Sequence, residues 1–270
     1  MSTIKLRLET PEDYHAVEEL TRDAFWRFWE TDRKICDEHL LVHKLRSVKA
    51  FVPELDYVAE IDGKLVGNIM YTRSWIEADD GKSYETLTFG PLSVLPECQK
   101  KGVGKALVAH TFAEAKRLGY RAVIIYGVPD YYPRIGFRRA SELGLTPSDG
   151  GSYDAFMAYP LYSGALDGIR GKHCYDPVYE SLSEEEALEF DKHFPPKPPH
   201  IPTPLEALLE RLKPKAAKAI QGLGYHTFDM LKSYSEREIA ALPGMDAESL
   251  EAVHTMMREH EFTWGERKYG

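Results

Sequence analysis

Cysteine is scarce: the 270-residue chain has three, Cys36, Cys98 and Cys174, scattered far apart. Neither the paired spacing of a disulfide framework nor that of a zinc site is present, so a reducing compartment and no bound metal are expected. Long apolar runs are missing too. None approaches the ~20 residues that a membrane-spanning helix needs, and Met1-Ser2-Thr3-Ile4-Lys5 lacks the apolar core of a signal peptide. A cytoplasmic location away from the membrane is the expectation. An excess of positive charge is also lacking: 34 Lys and Arg stand against 43 Asp and Glu, a formal charge of −9. That balance argues against broad attraction to nucleic acid or anionic lipid and favours cationic or amine partners. What remains is an ordinary globular composition, 43% hydrophobic, long enough for one large domain or two.

The chain is organised around the stretch from Gly90 to Phe137. Phe89-Gly90-Pro91-Leu92-Ser93-Val94 reads as a short buried strand, and Val103 to Leu118 as a helix. On that helix Leu107, Val108, Thr111, Phe112, Ala115 and Leu118 share one apolar stripe. Between them Gln99-Lys100-Lys101-Gly102-Val103-Gly104-Lys105-Ala106 is a strand-to-helix turn. Two glycines one residue apart let the backbone tighten and point successive amides into one concavity at a helix N-terminus, where an anion is favoured. Lys100, Lys101 and Lys105 add positive charge, so the local chemistry asks for a phosphate or pyrophosphate. Gly104 falls within the stripe, where a missing side chain would let the helix start lie close against the strand. Gly119 follows as a left-handed cap, and Ala122 to Tyr126 is a second buried strand that completes a βαβ unit.

Around this centre, Ile4 to Leu8 alternates like a strand and Thr10-Pro11-Glu12-Asp13 opens a helix to about Phe28. A second helix is predicted over Asp37 to Ser47. Tyr57 to Ile61, Asp62-Gly63 and Leu65 to Thr72 have the pattern of a hairpin with a type I′ turn. Thr86 to Val94 extends that antiparallel sheet. Asp130 is placed to cap a short helix that Gly136 ends, and residues from Arg138 to about Tyr179 finish the sheet. His39 and His43, four apart on a helix, lack a third ligand and read as surface histidines. Cys98, without a neighbouring histidine, reads as inert.

Composition changes after residue 182. Residues 183–204 read as a linker: Ser183-Glu184-Glu185-Glu186 starts an acidic helical stretch to about His193, and Phe194 to Pro204, with six prolines in eleven residues, is stiff and extended. Residues 205–270 read as a small all-α domain: Leu205 to Leu212, Pro214 to Gln221, Thr227 to Ser233, Ser235 to Leu242 with the capping box Ser235/Glu238, and Asp246 to about His260.

The order strand, Gln-x-x-Gly-x-Gly loop, helix, strand and then Tyr-x-x-x-Gly-Phe resembles the GNAT superfamily of N-acetyltransferases over about residues 3 to 180. The resemblance implies an α/β (α+β) fold for residues 1–182, with a mixed, mostly antiparallel sheet around the βαβ unit. It implies an acyl-CoA N-acyltransferase using acetyl-CoA as cosubstrate and an amine acceptor, which the sequence does not identify. Leu92, Ser93 and Val94 would then hydrogen-bond the pantetheine arm through backbone groups, and Gln99 through Ala106 would hold the pyrophosphate by amides. Tyr132 matches the tyrosine that in many members protonates the departing thiolate; with a reference pKa near 10 against about 8.5 for a thiol, it is a protonated donor at neutral pH. Tyr131 carries less weight. Several members place a glutamate base where this chain has Thr88, and Glu85 has the wrong side-chain parity to replace it, so the base is unassigned and a water relay is as open as any residue. Phe25, Trp26, Phe28 and Trp29 read as packing, one or two of them lining the acceptor cleft. The competing reading is a protein that binds acyl-CoA without turning it over and whose helical module recognises DNA or protein.

The stretch from Leu223-Gly224-Tyr225 to Ala240-Ala241-Leu242-Pro243-Gly244-Met245 is similar to a helix-hairpin-helix module, of the kind at the C-terminus of the RNA polymerase α subunit. Such hairpins grip phosphates with glycine amides, yet Asp246 stands where a second glycine is usual and better serves as a helix cap. From Leu205 to Gly270 there are eleven acidic residues against nine basic. Nucleic acid is therefore disfavoured, Gly222-Leu223-Gly224 with Lys215 and Lys218 being the remaining phosphate candidate. Protein contacts, or docking on the acetyltransferase domain, are the expectation.

Overall fold

The computed structural model describes residues 3–26, 35–127, 131–197, 203–224, 227–228, 231, 234–260, 262 and 264. The chain divides into two compact units: Met1–Arg27 with Ile35–Pro196, and Phe28–Lys34 with Lys197–Gly270. In the first unit β1 (Lys5–Leu8) is followed by α1 (Tyr14–Phe25) and α2 (Glu38–Leu45), then β2 (Tyr57–Ile61), β3 (Lys64–Ala78), β4 (Ser83–Val94), α3 (Val103–Arg117) and β5 (Ala122–Tyr126). Four more strands close it, β6 (Arg138–Arg139), β7 (Leu145–Thr146), β8 (Phe156–Pro160) and β9 (Gly171–Cys174), with α4 (Glu184–Asp191) last.

Among the described residues the nine strands form one sheet in the order β1-β2-β3-β4-β5-β8-β6, with β9 pairing the far half of β3 and β7 pairing β9. Neighbours are antiparallel except β4 with β5 and β7 with β9. The β2–β3 turn is type I′ because Asp62 and Gly63 both take positive φ, 51° and 77°. The helix opened by Pro11 begins as a short 3₁₀ turn, and regular α1 starts only at Tyr14. β4 is longer than the predicted stretch, since its polar first half from Ser83 pairs with β3 through Glu77.

The sheet is buried on both faces. On one side Leu87, Phe89 and Ile125 pack against Leu107, Val108, Phe112 and Ala115 of α3; on the other Val58 and Met70 meet Val17, Leu41 and Leu45 of α1 and α2. Tyr71 Oη and Thr111 Oγ1 share a 2.7 Å hydrogen bond that pins α3 to β3. The predicted stripe of α3 holds except at Leu118, which is 39% exposed. It lies past the last helical residue, and Val103 extends the stripe at the other end.

Two readings of the sequence are corrected by α4. His39 is fully buried, not a surface residue: its ring lies against Phe190 and Phe194, and its Nε2 is 3.3 Å from Asp191 Oδ1. The helix predicted from Ser183 forms as α4, but it packs into the first unit and does not serve as linker. Ala187 is fully buried beside Ile35 and Leu40. The fully buried Arg22 guanidinium donates to both carboxylate oxygens of Asp191 and, at 3.0 Å, to the Pro195 carbonyl. Composition suggested a linker because only a few of its residues turn inward.

The second unit contains α5 (Glu206–Leu209), α6 (Pro214–Gln221), α7 (Glu236–Ala240) and α8 (Ala247–Glu259). It has its own core of Leu208, Ile220, Phe228, Ile239, Val253 and Met256. The Ser235/Glu238 capping box forms, Ser235 N donating to Glu238 Oε2 at 2.8 Å. Much of the helix predicted over Thr227 to Ser233 lies outside the described residues.

Candidate active site

β4 and β5 run together only briefly. Their one registered pair is Leu87 with Val123, and just beyond it Thr88 Oγ1 donates 2.9 Å to the Ile124 carbonyl. Further along, Tyr71 opposes Phe89 whereas Ile69 opposes Leu92, so Gly90-Pro91 inserts one extra residue into β4 as a bulge. A bulge resets side-chain parity. Leu87 and Phe89 face α3, and after the bulge Leu92 and Val94 face it again. Ser93 turns to the opposite face, where its Oγ lies 2.9 Å from Thr21 Oγ1 of α1. From Phe89 to Val94, β4 has β3 on one edge and, among the described residues, no strand on the other.

The glycine loop stands at the mouth of this opening. Gly102 is the N-cap of α3 with φ +88° and makes no side-chain cap; a β-carbon would be strained there. The first helical hydrogen bond is Ala106 N to Gly102 O, 2.9 Å, so the amides of Val103, Gly104 and Lys105 precede it. Lys100, itself left-handed with φ 59°, Lys101 and Lys105 are exposed. Left-handed turns, first-turn amides and three lysines suit a polyanion such as a pyrophosphate. Val103 is 1% exposed, its side chain in the core, so only its backbone faces the loop. Gln99 Nε2 donates to the Val94 carbonyl at 3.1 Å and ties the loop to the end of β4.

Gly104 is where helix, strand and exit loop converge. A β-carbon there would lie 3.7 Å from Tyr131 Oη, 3.7 Å from Val94 Cγ2 and 3.8 Å from Leu92 Cδ2, all ordinary contacts. The helix start does lie against the strand, and a methyl at this position would be accommodated by the protein itself. Tyr131, given little weight in the sequence, puts its hydroxyl over the first turn of α3. Nothing in the motif distinguishes it from its neighbour; only its placement does.

Tyr132 opens the 3₁₀ turn Tyr132–Ile135, which Gly136 ends at φ +101°. Tyr131 is its N-cap, and Asp130, the predicted cap, lies outside the described residues. The Tyr132 ring sits 5.9 Å from the Phe89 ring of β4 and 5.3 Å from Phe137. It also lies so close over the end of β5 that a β-carbon on Gly127 would be 2.3 Å from it. Burial raises its phenol pKa, with Tyr131 adding to the effect, so it stays protonated at neutral pH.

Thr88 puts a buried hydroxyl, not a carboxylate, on this stretch of β4. His173 Nε2 is 3.4 Å from its Oγ1, and burial lowers that imidazole to a pKa of about 4. Trp26 lies under the Arg22 guanidinium, 4.5 Å away, a packing role, while Phe28 and Trp29 fall outside the described residues. A separate cleft of about 670 Å³ is lined by Arg138, Glu142, Tyr159 and Arg170; none of the predicted site residues borders it. Among the described residues no three His, Cys, Asp or Glu side chains group as metal ligands, and no helix is long and apolar enough to cross a membrane.

Known proteins resemble this chain in sequence and fold. The acetyltransferase (GNAT) family model matches residues 17–139. The uncharacterized N-acetyltransferase YhbS of Escherichia coli K12 is 27% identical over 166 residues, 62% of this chain and 92% of that one. The uncharacterized N-acetyltransferase YjhQ of the same strain is 35% identical over 98 residues, 36% of this chain and 53% of that one. Among solved structures, YhbS from Escherichia coli in complex with CoA superposes with a TM-score of 0.58 at 26% identity, covering 68% of this chain and 95% of that one. A GNAT family acetyltransferase from Brucella melitensis in complex with acetyl-CoA gives 0.52 at 25% identity, covering 66% and 99%.

Proposed function

Because the first unit has the GNAT fold and residues 17–139 match that family's model, we propose that this protein is an acyl-CoA N-acyltransferase that transfers acetyl from acetyl-CoA to a primary amine. The observation that carries the reading is the convergence, at the gap between β4 and β5, of the lysine-rich start of α3, with the Tyr131 hydroxyl over its first turn, and the half-buried Tyr132 ring against Phe89 of β4. Acetyl-CoA supplies a thioester carbonyl: the amine nitrogen bonds to its carbon, the carbon–sulfur bond breaks, one proton leaves the nitrogen to solvent and one is gained by the departing sulfur.

The chain's own groups divide that work. Lys100, Lys101, Lys105 and the amides up to Lys105 bind the pyrophosphate, the Ala106 amide being held by the Gly102 carbonyl, and Gln99 fixes the loop to β4. The free edge of β4 at Leu92, Ser93 and Val94 aligns the pantetheine arm as an added strand. Ser93 contributes backbone alone, since its hydroxyl is engaged with Thr21. Tyr132 donates its phenolic proton to the thiolate and regains one from water. Thr88 is tied to the Ile124 carbonyl and fastens β4 to β5 at the root of the gap. With no carboxylate at that position, the amine loses its proton to water.

The second unit is read as a helix-hairpin-helix-like module for protein contacts or docking. Asp246 caps α8, accepting from Ser249 N at 2.9 Å, and is paired with Lys213 at 2.6 Å. That carboxylate in the hairpin opposes a phosphate. The test of the whole reading is thiol release from acetyl-CoA across a panel of amines. Turnover with at least one primary amine is expected; tight CoA binding with no release from any would favour the non-catalytic alternative.

A further inference from the structure

The face of the sheet opposite α3 carries a group of aromatic and acidic side chains that the transfer mechanism does not use. Tyr126 ends β5, past the point where β4 departs. Its side chain shares a face with that of Ile124, whereas Ile125 between them packs toward α3. Around it Tyr126, Phe156, His173 and Tyr175 form a closed circuit of rings, with successive centroids 5.2, 5.8, 5.5 and 6.0 Å apart. Tyr153 adds a further ring 6.1 Å from Tyr126. Tyr126 and Tyr153 are 43% and 48% exposed, so the cluster opens to solvent.

Two carboxylates complete the group. Tyr153 Oη donates to Asp149 Oδ2 at 2.6 Å, and Tyr175 Oη donates to Glu180 Oε1. Each phenol therefore holds an acid at the edge of the cluster, and a donated hydroxyl makes its ring richer in electrons. Both acids raise the pKa of Tyr126, which burial pushes up to about 12. His173 closes the floor fully buried, and with its pKa near 4 it brings no positive charge at neutral pH.

We propose that this surface binds a positive charge on the acceptor: the substrate is an amine that carries a second cationic nitrogen, held on the rings of Tyr126, Tyr153 and Tyr175 between Asp149 and Glu180. A cation over aromatic faces is attracted by their quadrupoles, and more strongly where carboxylates flank it. The reacting nitrogen must be neutral to attack, so it cannot be the charge that this surface retains. A diamine or polyamine satisfies both requirements, with one nitrogen in the gap and the other outside it. The anionic cosubstrate is then met by lysines on the α3 side and the cationic acceptor by acids on the other. The inference rests on the transferase reading for the identity of the gap.

The test is calorimetric titration of the full chain, saturated with CoA, with tetramethylammonium and with tert-butanol, a neutral molecule of the same shape. The cation should bind at least roughly ten-fold more tightly. Asp149→Asn with Glu180→Gln should abolish that preference and leave CoA affinity unchanged. Tyr126→Leu should weaken cation binding, and Tyr126→Phe, which keeps the ring, should restore most of it. In turnover, 1,5-diaminopentane should exceed 1-aminopentane in kcat/KM by roughly ten-fold. Equal binding of the two probes, or a preference that survives the double variant, overturns the proposal. A protein that prefers the cation but binds no CoA would keep this surface and refute the transferase reading. One that acetylates both amines equally would do the reverse.

Discussion

Thr88 Oγ1 donates to the Ile124 carbonyl at 2.9 Å, across the point where β4 and β5 stop pairing. The side chain thus supplies the hydrogen bond that the diverging backbones no longer make, inside a site where an unpaired carbonyl would be costly. It also accounts for a hydroxyl at the position where the resemblance to the GNAT superfamily leads one to expect a glutamate. Here the residue stitches the root of the gap and is not free to act as a base.

Thr88→Val keeps the shape and removes the donor. The Ile124 carbonyl is then buried without its partner, and stability should fall by about 1–3 kcal/mol. Urea denaturation followed by circular dichroism reads this directly. A loss within experimental error would show that the carbonyl finds water or another donor.

Gly127→Ala should move the Tyr132 ring, because the new methyl would stand 2.3 Å from it. Turnover should fall by about ten-fold or more, in the same direction as Tyr132→Phe, for which a loss of about 10²-fold is expected. CoA affinity should change little in either. If Gly127→Ala turns over normally, the ring position does not matter to the chemistry.

The two loop glycines should respond differently. Gly102→Val forces a β-branched residue into φ +88° and should weaken CoA binding by about ten-fold or more, a loss of about 1.4 kcal/mol. Gly104→Ala meets nothing nearer than 3.7 Å, so the protein should fold with unchanged stability. Any loss of CoA affinity in that variant would then report crowding of the ligand itself. Titration with CoA and thermal melts of both variants separate the two effects.

Asp56 is almost fully buried, beside Glu9, and accepts a 3.0 Å hydrogen bond from Asn68. Burial foremost, then Glu9, pushes its carboxyl up to about 9. Its folded pKa therefore lies above the unfolded value of about 4, and between the two the native state holds a proton that the unfolded chain has released. Across that window stability falls as pH rises, and the contribution is intact only below the unfolded value. Asp56→Asn keeps the acceptor for Asn68 and removes the titration. The variant should melt about 2 °C or more above the natural protein at pH 8.5, and the difference should shrink toward pH 5. A constant difference at both pH values would rule the titration out.

Much of the molecule could be read from local pattern. Asp62-Gly63 dictated a type I′ hairpin, the spacing from Leu107 to Ala115 dictated a helix with one buried stripe, and Gly102 with three lysines dictated a cationic helix start. Each depends on residues a few positions apart, where backbone sterics and periodicity decide the outcome. Tertiary structure decided the rest. The bulge at Gly90-Pro91 shifts the parity of every later residue in β4 and sends the Ser93 hydroxyl to α1. Packing on α2 drew an acidic helix into the first unit and buried His39. Tyr126, Tyr153, Phe156, His173 and Tyr175 are brought together by strand pairing and the loops that flank it, and no spacing along the chain announces that they meet. Side-chain neighbours across a sheet are set by register, and register is a property of the whole fold.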